Sequence, residues 1–142
     1  MSLSEYKVYP DVDNLMVELN KYDLFDHIVE LEAYGITVVP PEKMHSSEGF
    51  IERLREAIIK ACEKRNDIQL GDYRTAKIPK GKTLKNGWDL LEEDEVFVEA
   101  AINPVCVALV KWLLGQSAIF SGQTWIIKGE GEQGLGLHSD SH

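Results

Sequence analysis

A chain of 142 residues, 44% hydrophobic and 27% charged, is long enough to bury one core and has the make-up of an ordinary globular domain. Its net charge of −9 excludes electrostatic attraction to nucleic acid or to an anionic membrane surface. There is no run of about 18 apolar residues to span a bilayer. The first twenty residues carry Glu5, Asp11, Asp13 and Glu18 in place of the apolar core of a secretory signal. The expectation is a cytoplasmic protein in which Cys62 and Cys106, each inside a helical apolar pattern, are reduced and buried thiols.

The first half reads as helical. Asp23 is placed to cap a helix over 23–34 that carries Leu24, Phe25, Ile28 and Leu31 on one side and ends at Gly35. Ile36-Thr37-Val38-Val39 reads as a short β-branched strand over 36–39, stopped by Pro40-Pro41, because proline cannot donate to a sheet ladder. From 47 to 64, Phe50, Ile51, Leu54, Ala57, Ile58 and Ala61 recur at helical spacing.

Residues 66–88 have no clear period. They hold Gly71, Pro79, Gly81 and Gly87, with Arg74, Lys77, Lys80, Lys82 and Lys85 among them. A solvated surface loop is the plain reading; a basic flap that meets an anionic substrate is the functional one. Glu92-Glu93-Asp94-Glu95 reads as an acidic first turn that complements a helix dipole, since it lacks the alternating oxygen ligands and turn glycine of a calcium loop. That helix is predicted over 94–102. Asn103-Pro104 reads as a cap and a first-turn proline opening another over 104–114, with Val105, Leu109, Trp112 and Leu113 as its apolar face and Gly115 as its stop.

After Gly115 the texture changes. Residues 117–128, rich in Ile, Phe, Thr and Trp, predict a strand, with Trp125 as core packing. A glycine-rich stretch follows, and 135–140 resumes strand-like alternation. Helices first and strands after them imply an α+β class, or a β-core with a helical layer packed on it.

The most chemically specific residues are His138-Ser139-Asp140-Ser141-His142. On a strand, His138 and Asp140 would share a face about 7 Å apart along the backbone, close enough to hold one metal ion. One imidazole and one carboxylate are two thirds of the 2-His-1-carboxylate set that holds Fe(II) in non-haem oxygenases. His142 would lie about 13 Å from His138 on the same strand, so it is expected beside the metal and not on it. Gly129-x-Gly131-x-x-Gly134 matches the dinucleotide fingerprint only as a string, because no helix opens after it to hold a pyrophosphate. His27 in a helix and His45 in a loop are expected at the surface.

This order of features resembles the phytanoyl-CoA dioxygenase-like family of Fe(II)- and 2-oxoglutarate-dependent oxygenases. The resemblance runs through Gly35-Ile36-Thr37-Val38-Val39, the helix from near Phe50, the Asn103-Pro104 helix ending in Leu113-Leu114-Gly115, and Leu137-His138-Ser139-Asp140-Ser141-His142. It implies an α+β fold: an N-terminal helical layer packed on the first strands of a double-stranded β-helix (jelly-roll) core. Residues 1–142 would then be the N-terminal portion of a single oxygenase domain. It further implies Fe(II) as metal, held by His138 and Asp140 and by a histidine further downstream, with 2-oxoglutarate as co-substrate. An arginine beyond residue 142 would grip the co-substrate's carboxylate. Polar residues on the strand before the motif often help hold 2-oxoglutarate in the family, which makes Gln123 and Lys128 candidates here.

Three functions follow as expectations. The first is the front portion of an Fe(II)/2-oxoglutarate dioxygenase that hydroxylates a small-molecule substrate, the 142 residues alone binding metal weakly and turning nothing over. The second is another β-barrel metal enzyme, cupin-like or a zinc hydrolase, which four histidines in 142 residues disfavour. The third is an inactive or non-enzymatic binding fragment. Nothing in the sequence specifies the substrate or the oligomeric state.

Overall fold

The computed structural model describes residues 12–72, 75, 77, 84 and 88–127. Five α-helices run through them: α1 (Val12–Lys21), α2 (Phe25–Tyr34), α3 (Phe50–Asn66), α4 (Glu95–Ala101) and α5 (Pro104–Leu114). The chain divides into two compact units. One draws its described residues from 12–50 and 97–121, the other from 51–96 and 122–127.

In the first unit, α1 forms because Leu15 and Leu19 are one helical turn apart, with Asp13 in its first turn and Lys21 in its last, both suited to the helix dipole. Leu15 and Leu19 join Leu24, Ile28, Val105 and Ala108 in a buried cluster, with Leu31, Val39, Met44, Leu109 and Trp112 packed against it. Each fully buried leucine contributes roughly 1.5–3 kcal/mol relative to an exposed one. Two polar contacts link α5 to α1 and α2: Lys111 Nζ lies 2.9 Å from Glu18 Oε2, and Trp112 Nε1 donates to Glu32 Oε1 at 2.9 Å.

Asp23 does not cap α2. Leu24 occupies the capping position and provides no side-chain bond. Asp23 instead takes a left-handed backbone (φ 52°) between α1 and α2, which aspartate tolerates, and its carboxylate lies 2.6 Å from Lys43 Nζ. That lysine's hydrogen bond holds the Asp23 carboxyl below the usual carboxylate range. At its other end α2 closes as expected: Gly35 is left-handed (φ 71°) and donates its N–H to Leu31 O at 2.9 Å.

The start of α5 follows the sequence closely. Asn103 Oδ1 accepts from the N–H groups of Val105 (3.1 Å) and Cys106 (3.2 Å), while its Nδ2 donates to Met44 O at 2.8 Å. One buried side chain therefore caps the helix and holds the chain just after the 3-10 turn Pro41–Lys43. Proline at the next position has no N–H to lose, and α4 and α5 meet there at 44°. Among the described residues no single helix is long and apolar enough to cross a membrane.

In the second unit, α3 buries Ala57, Ala61 and Cys62 on one side. Asn66 closes it, its Nδ2 donating to Cys62 O at 3.0 Å. The start of α4 is capped by Asp94, whose Oδ1 accepts from Val96 N–H at 3.0 Å. Glu93, just before it, lies 2.7 Å from Lys64 Nζ and 3.1 Å from Arg65 Nη2, and so links the last turn of α3 to the chain entering α4.

The α+β, jelly-roll expectation fails on the described residues, which are helical and contain no β-strand. Residues 36–39 form no ladder: Ile36 and Val38 are exposed while Val39 packs on the core, so the alternation is present and, among the described residues, a partner strand is not. Residues 117–127 are likewise neither strand nor helix, and Trp125 alone shows a bridge-type pairing. The predicted strand over 135–140 lies outside the described residues, as does Lys128. A strand is stable only with a neighbour to take its N–H and C=O groups, which composition alone does not supply.

Candidate functional site

Of the expected site residues, Gln123 is described; Lys128, His138 and Asp140 lie outside the described residues, with His142 and the glycine-rich stretch 129–136. Among the described residues no group of three His, Cys, Asp or Glu side chains is placed to hold a metal. In the basic loop, Lys77 is exposed, and Arg74, Lys80, Lys82 and Lys85 are outside the described residues.

Gln123 belongs to the second unit, on the irregular chain that follows residue 121. Its Oε1 is buried and has no hydrogen-bond partner. Two residues on, Trp125 is buried as its composition suggested, but its Nε1–H also lacks a partner. Buried polar groups are nearly always paired, and an unpaired one costs about 1–3 kcal/mol. Two such atoms on residues two apart in the chain mark a segment where the protein's own hydrogen bonding is incomplete.

The neighbourhood in that unit is held by Arg65. Besides Glu93, its guanidinium donates to Trp88 O, fixing the backbone beside an indole that is itself exposed. A methyl group at Gly122 would stand 3.7 Å from the Trp88 ring, an ordinary contact distance, so Trp88 lies alongside the chain that leads into Gln123. Glu93 is held below the usual carboxylate range, first by its hydrogen bond from Lys64 and then by Arg65, against the opposing effect of burial.

Other reactive side chains are engaged elsewhere. His27 is buried, contrary to its expected surface position, because α2 turns it toward the chain after Gly35. Its Nδ1 lies 2.8 Å from Thr37 Oγ1, and the Thr37 hydroxyl donates to Glu30. The hydroxyl proton is thus used on Glu30, so Thr37 accepts and Nδ1 carries the hydrogen. His45 is exposed and meets the Tyr22 ring edge-on with centroids 5.1 Å apart. Both cysteines are free. Cys62 is buried as expected and Cys106 is exposed, and desolvation raises both thiols above their ordinary pKa, which disfavours the reactive thiolate.

The family resemblance made Gln123 a candidate, and sequence reasoning read Trp125 as packing. The polar end of the indole was the missed signal: a buried tryptophan normally finds a partner for its N–H. A comparison of the chain with family models, curated proteins and solved structures finds no match.

Proposed function

We propose that this chain contributes two metal ligands, His138 and Asp140, to a non-haem Fe(II)/2-oxoglutarate-dependent dioxygenase that hydroxylates a small molecule. The observation that carries the reading is the sequence His138-x-Asp140-x-His142 directly after a glycine-rich stretch and behind a run of helices. An imidazole and a carboxylate are a donor set that Fe(II) accepts while keeping positions open. When bound, the iron and 2-oxoglutarate supply the oxidation: O2 and the co-substrate give succinate and CO2, and one oxygen atom enters a substrate C–H bond. The chain's own part is to hold and orient. Gln123 supports this, because its amide oxygen is buried and unpaired, and the same amide turned over offers an N–H to a carboxylate. Lys128 would add a point charge of the right sign for the same anion.

A binding module is the second reading. It is favoured by Ile102, Val110, Leu113, Leu114, Ile119 and Phe120, large apolar side chains all exposed in the first unit. Isolated exposed apolar residues are normal, and it is contiguous apolar surface that is associated with contact sites.

Anaerobic titration of the chain with Fe(II) in the presence of 2-oxoglutarate separates the two, read as the visible charge-transfer absorption of the chelated iron. His138→Ala and Asp140→Ala are each expected to weaken iron binding at least tenfold, and His142→Ala to retain it. Equal loss in all three variants puts His142 on the metal and overturns the ligand assignment. Iron binding untouched by Asp140→Ala overturns the oxygenase reading in favour of a binding module.

A further inference from the structure

The three tryptophans differ in how their indole N–H groups are satisfied. Trp112 donates to Glu32 at 2.9 Å, and Trp88 is 61% exposed and open to water. Trp125 is 4% exposed, and its Nε1–H has no partner. Two residues before it, Gln123 Oε1 is in the same condition. A stranded donor and a stranded amide oxygen, two residues apart in the chain, leave hydrogen-bonding capacity that a bound molecule with polar oxygens can take up. The other buried residues described in that unit, Ala57, Ala61, Cys62, Leu84, Leu90 and Val96, have no strong acceptor in their side chains.

We infer that Trp125 Nε1–H, with the Gln123 amide, recognises a carboxylate or carbonyl oxygen of a small organic acid. Trp125 is thereby a ligand-binding residue and not packing alone. The indole supplies a donor fixed in direction by burial. The amide supplies a donor or an acceptor by turning over, so it adjusts to whether the second ligand atom is a carboxylate oxygen or a hydroxyl. The inference rests on the oxygenase reading only for the choice of a 2-oxo acid as probe. Recognition by the indole requires no metal, and so the two stand or fall separately.

The test is a metal-free titration, with chelator present, of the 15N-labelled chain with 2-oxoglutarate, following the three indole N–H resonances. Trp88→Phe and Trp112→Phe assign the Trp125 signal by elimination, so the assignment does not depend on a substitution in the buried site. The Trp125 resonance is expected to move downfield and saturate while those of Trp88 and Trp112 stay in place. Gln123→Glu, which keeps the shape and adds a like charge, is expected to weaken the saturating shift at least tenfold. Trp125→Phe is expected to abolish binding measured calorimetrically while melting within a few degrees of the unaltered chain. His138→Ala and Asp140→Ala are expected to leave the metal-free shift unchanged, so a failure of the iron assignment is seen independently. The inference is overturned if the Trp125 resonance does not respond, if all three indoles shift together, or if Gln123→Glu binds as well as the unaltered chain.

Discussion

Two consecutive segments, α5 and residues 117–127, have similar apolar texture and very different outcomes. In α5, Val105 and Ala108 are fully buried and the first turn is capped by Asn103. A few residues on, Ile119 is 89% exposed and Phe120 52%, and no ladder forms along 117–127 apart from the single pairing at Trp125. A helix satisfies its backbone from within its own sequence, so a cap, a first-turn proline and an apolar stripe are enough to specify it. A strand is a property of a pair, and the β-branched and aromatic residues that favour it specify only one member.

Truncating a buried residue of the helical cluster gives the largest expected effect. Leu19→Ala removes a fully buried side chain between α1 and α5 and is expected to cost about 2–5 kcal/mol. Urea unfolding followed by circular dichroism reads this as a lowered midpoint at unchanged slope. A loss below about 1 kcal/mol would mean that the cluster is not the stabilising core of its unit.

Asn103→Ala comes next. It removes the cap of α5 and leaves Met44 O without its donor, for an expected cost of about 1–2 kcal/mol. Asn103→Asp keeps the accepting oxygen and loses the bond to Met44, and is expected to fall between the two. If Asp is as damaging as Ala, the link to Met44 outweighs the cap.

How far the sequence was legible follows the same division. Four of the five helices were placed, with ends off by up to three residues, because their signals are local: Gly35, Asn103-Pro104, the spacing of Ala57 and Ala61. Even there a tertiary contact overrode one signal, since Lys43 draws the Asp23 carboxylate away from the α2 cap. Helix α1 was missed although Leu15 and Leu19 mark it, because a stripe of two leucines is short. The jelly-roll strands were wrong for the described residues because their partners cannot be read from one segment. At the candidate site, Gln123 was reached only through the family resemblance, since a polar residue between Gly122 and Thr124 carries no signal of its own. The unpaired state of Trp125 was not legible, because hydrogen-bond satisfaction depends on the surroundings of the folded chain.

Glu93 tests a smaller term with a defined pH signature. Its pKa is depressed in the folded protein, so its stabilisation is present above the unfolded carboxylate value and is lost as pH falls through the folded value. Glu93→Gln is expected to cost at most about 1 kcal/mol at neutral pH, the range of solvent-accessible ion pairs, and nothing in acid. Denaturation midpoints of the two proteins measured from neutral to acidic pH should therefore converge. A gap that stays constant with pH would mean that Glu93 acts by packing and not by charge.

The smallest expected effect falls on the second member of the comparison. Ile119→Ser replaces an exposed side chain on a segment with no ladder, and is expected to change stability by no more than about 0.5 kcal/mol in either direction. Because the substitution is nearly silent if the side chain is free, a larger loss has one structural meaning: Ile119 is covered in solution. Thermal melts at several protein concentrations identify the cover. A loss that grows with concentration places another copy of the chain against residues 117–127, since association stabilises by mass action. A loss independent of concentration places part of the same chain there, and the contrast with α5 then reduces to which partner each segment uses.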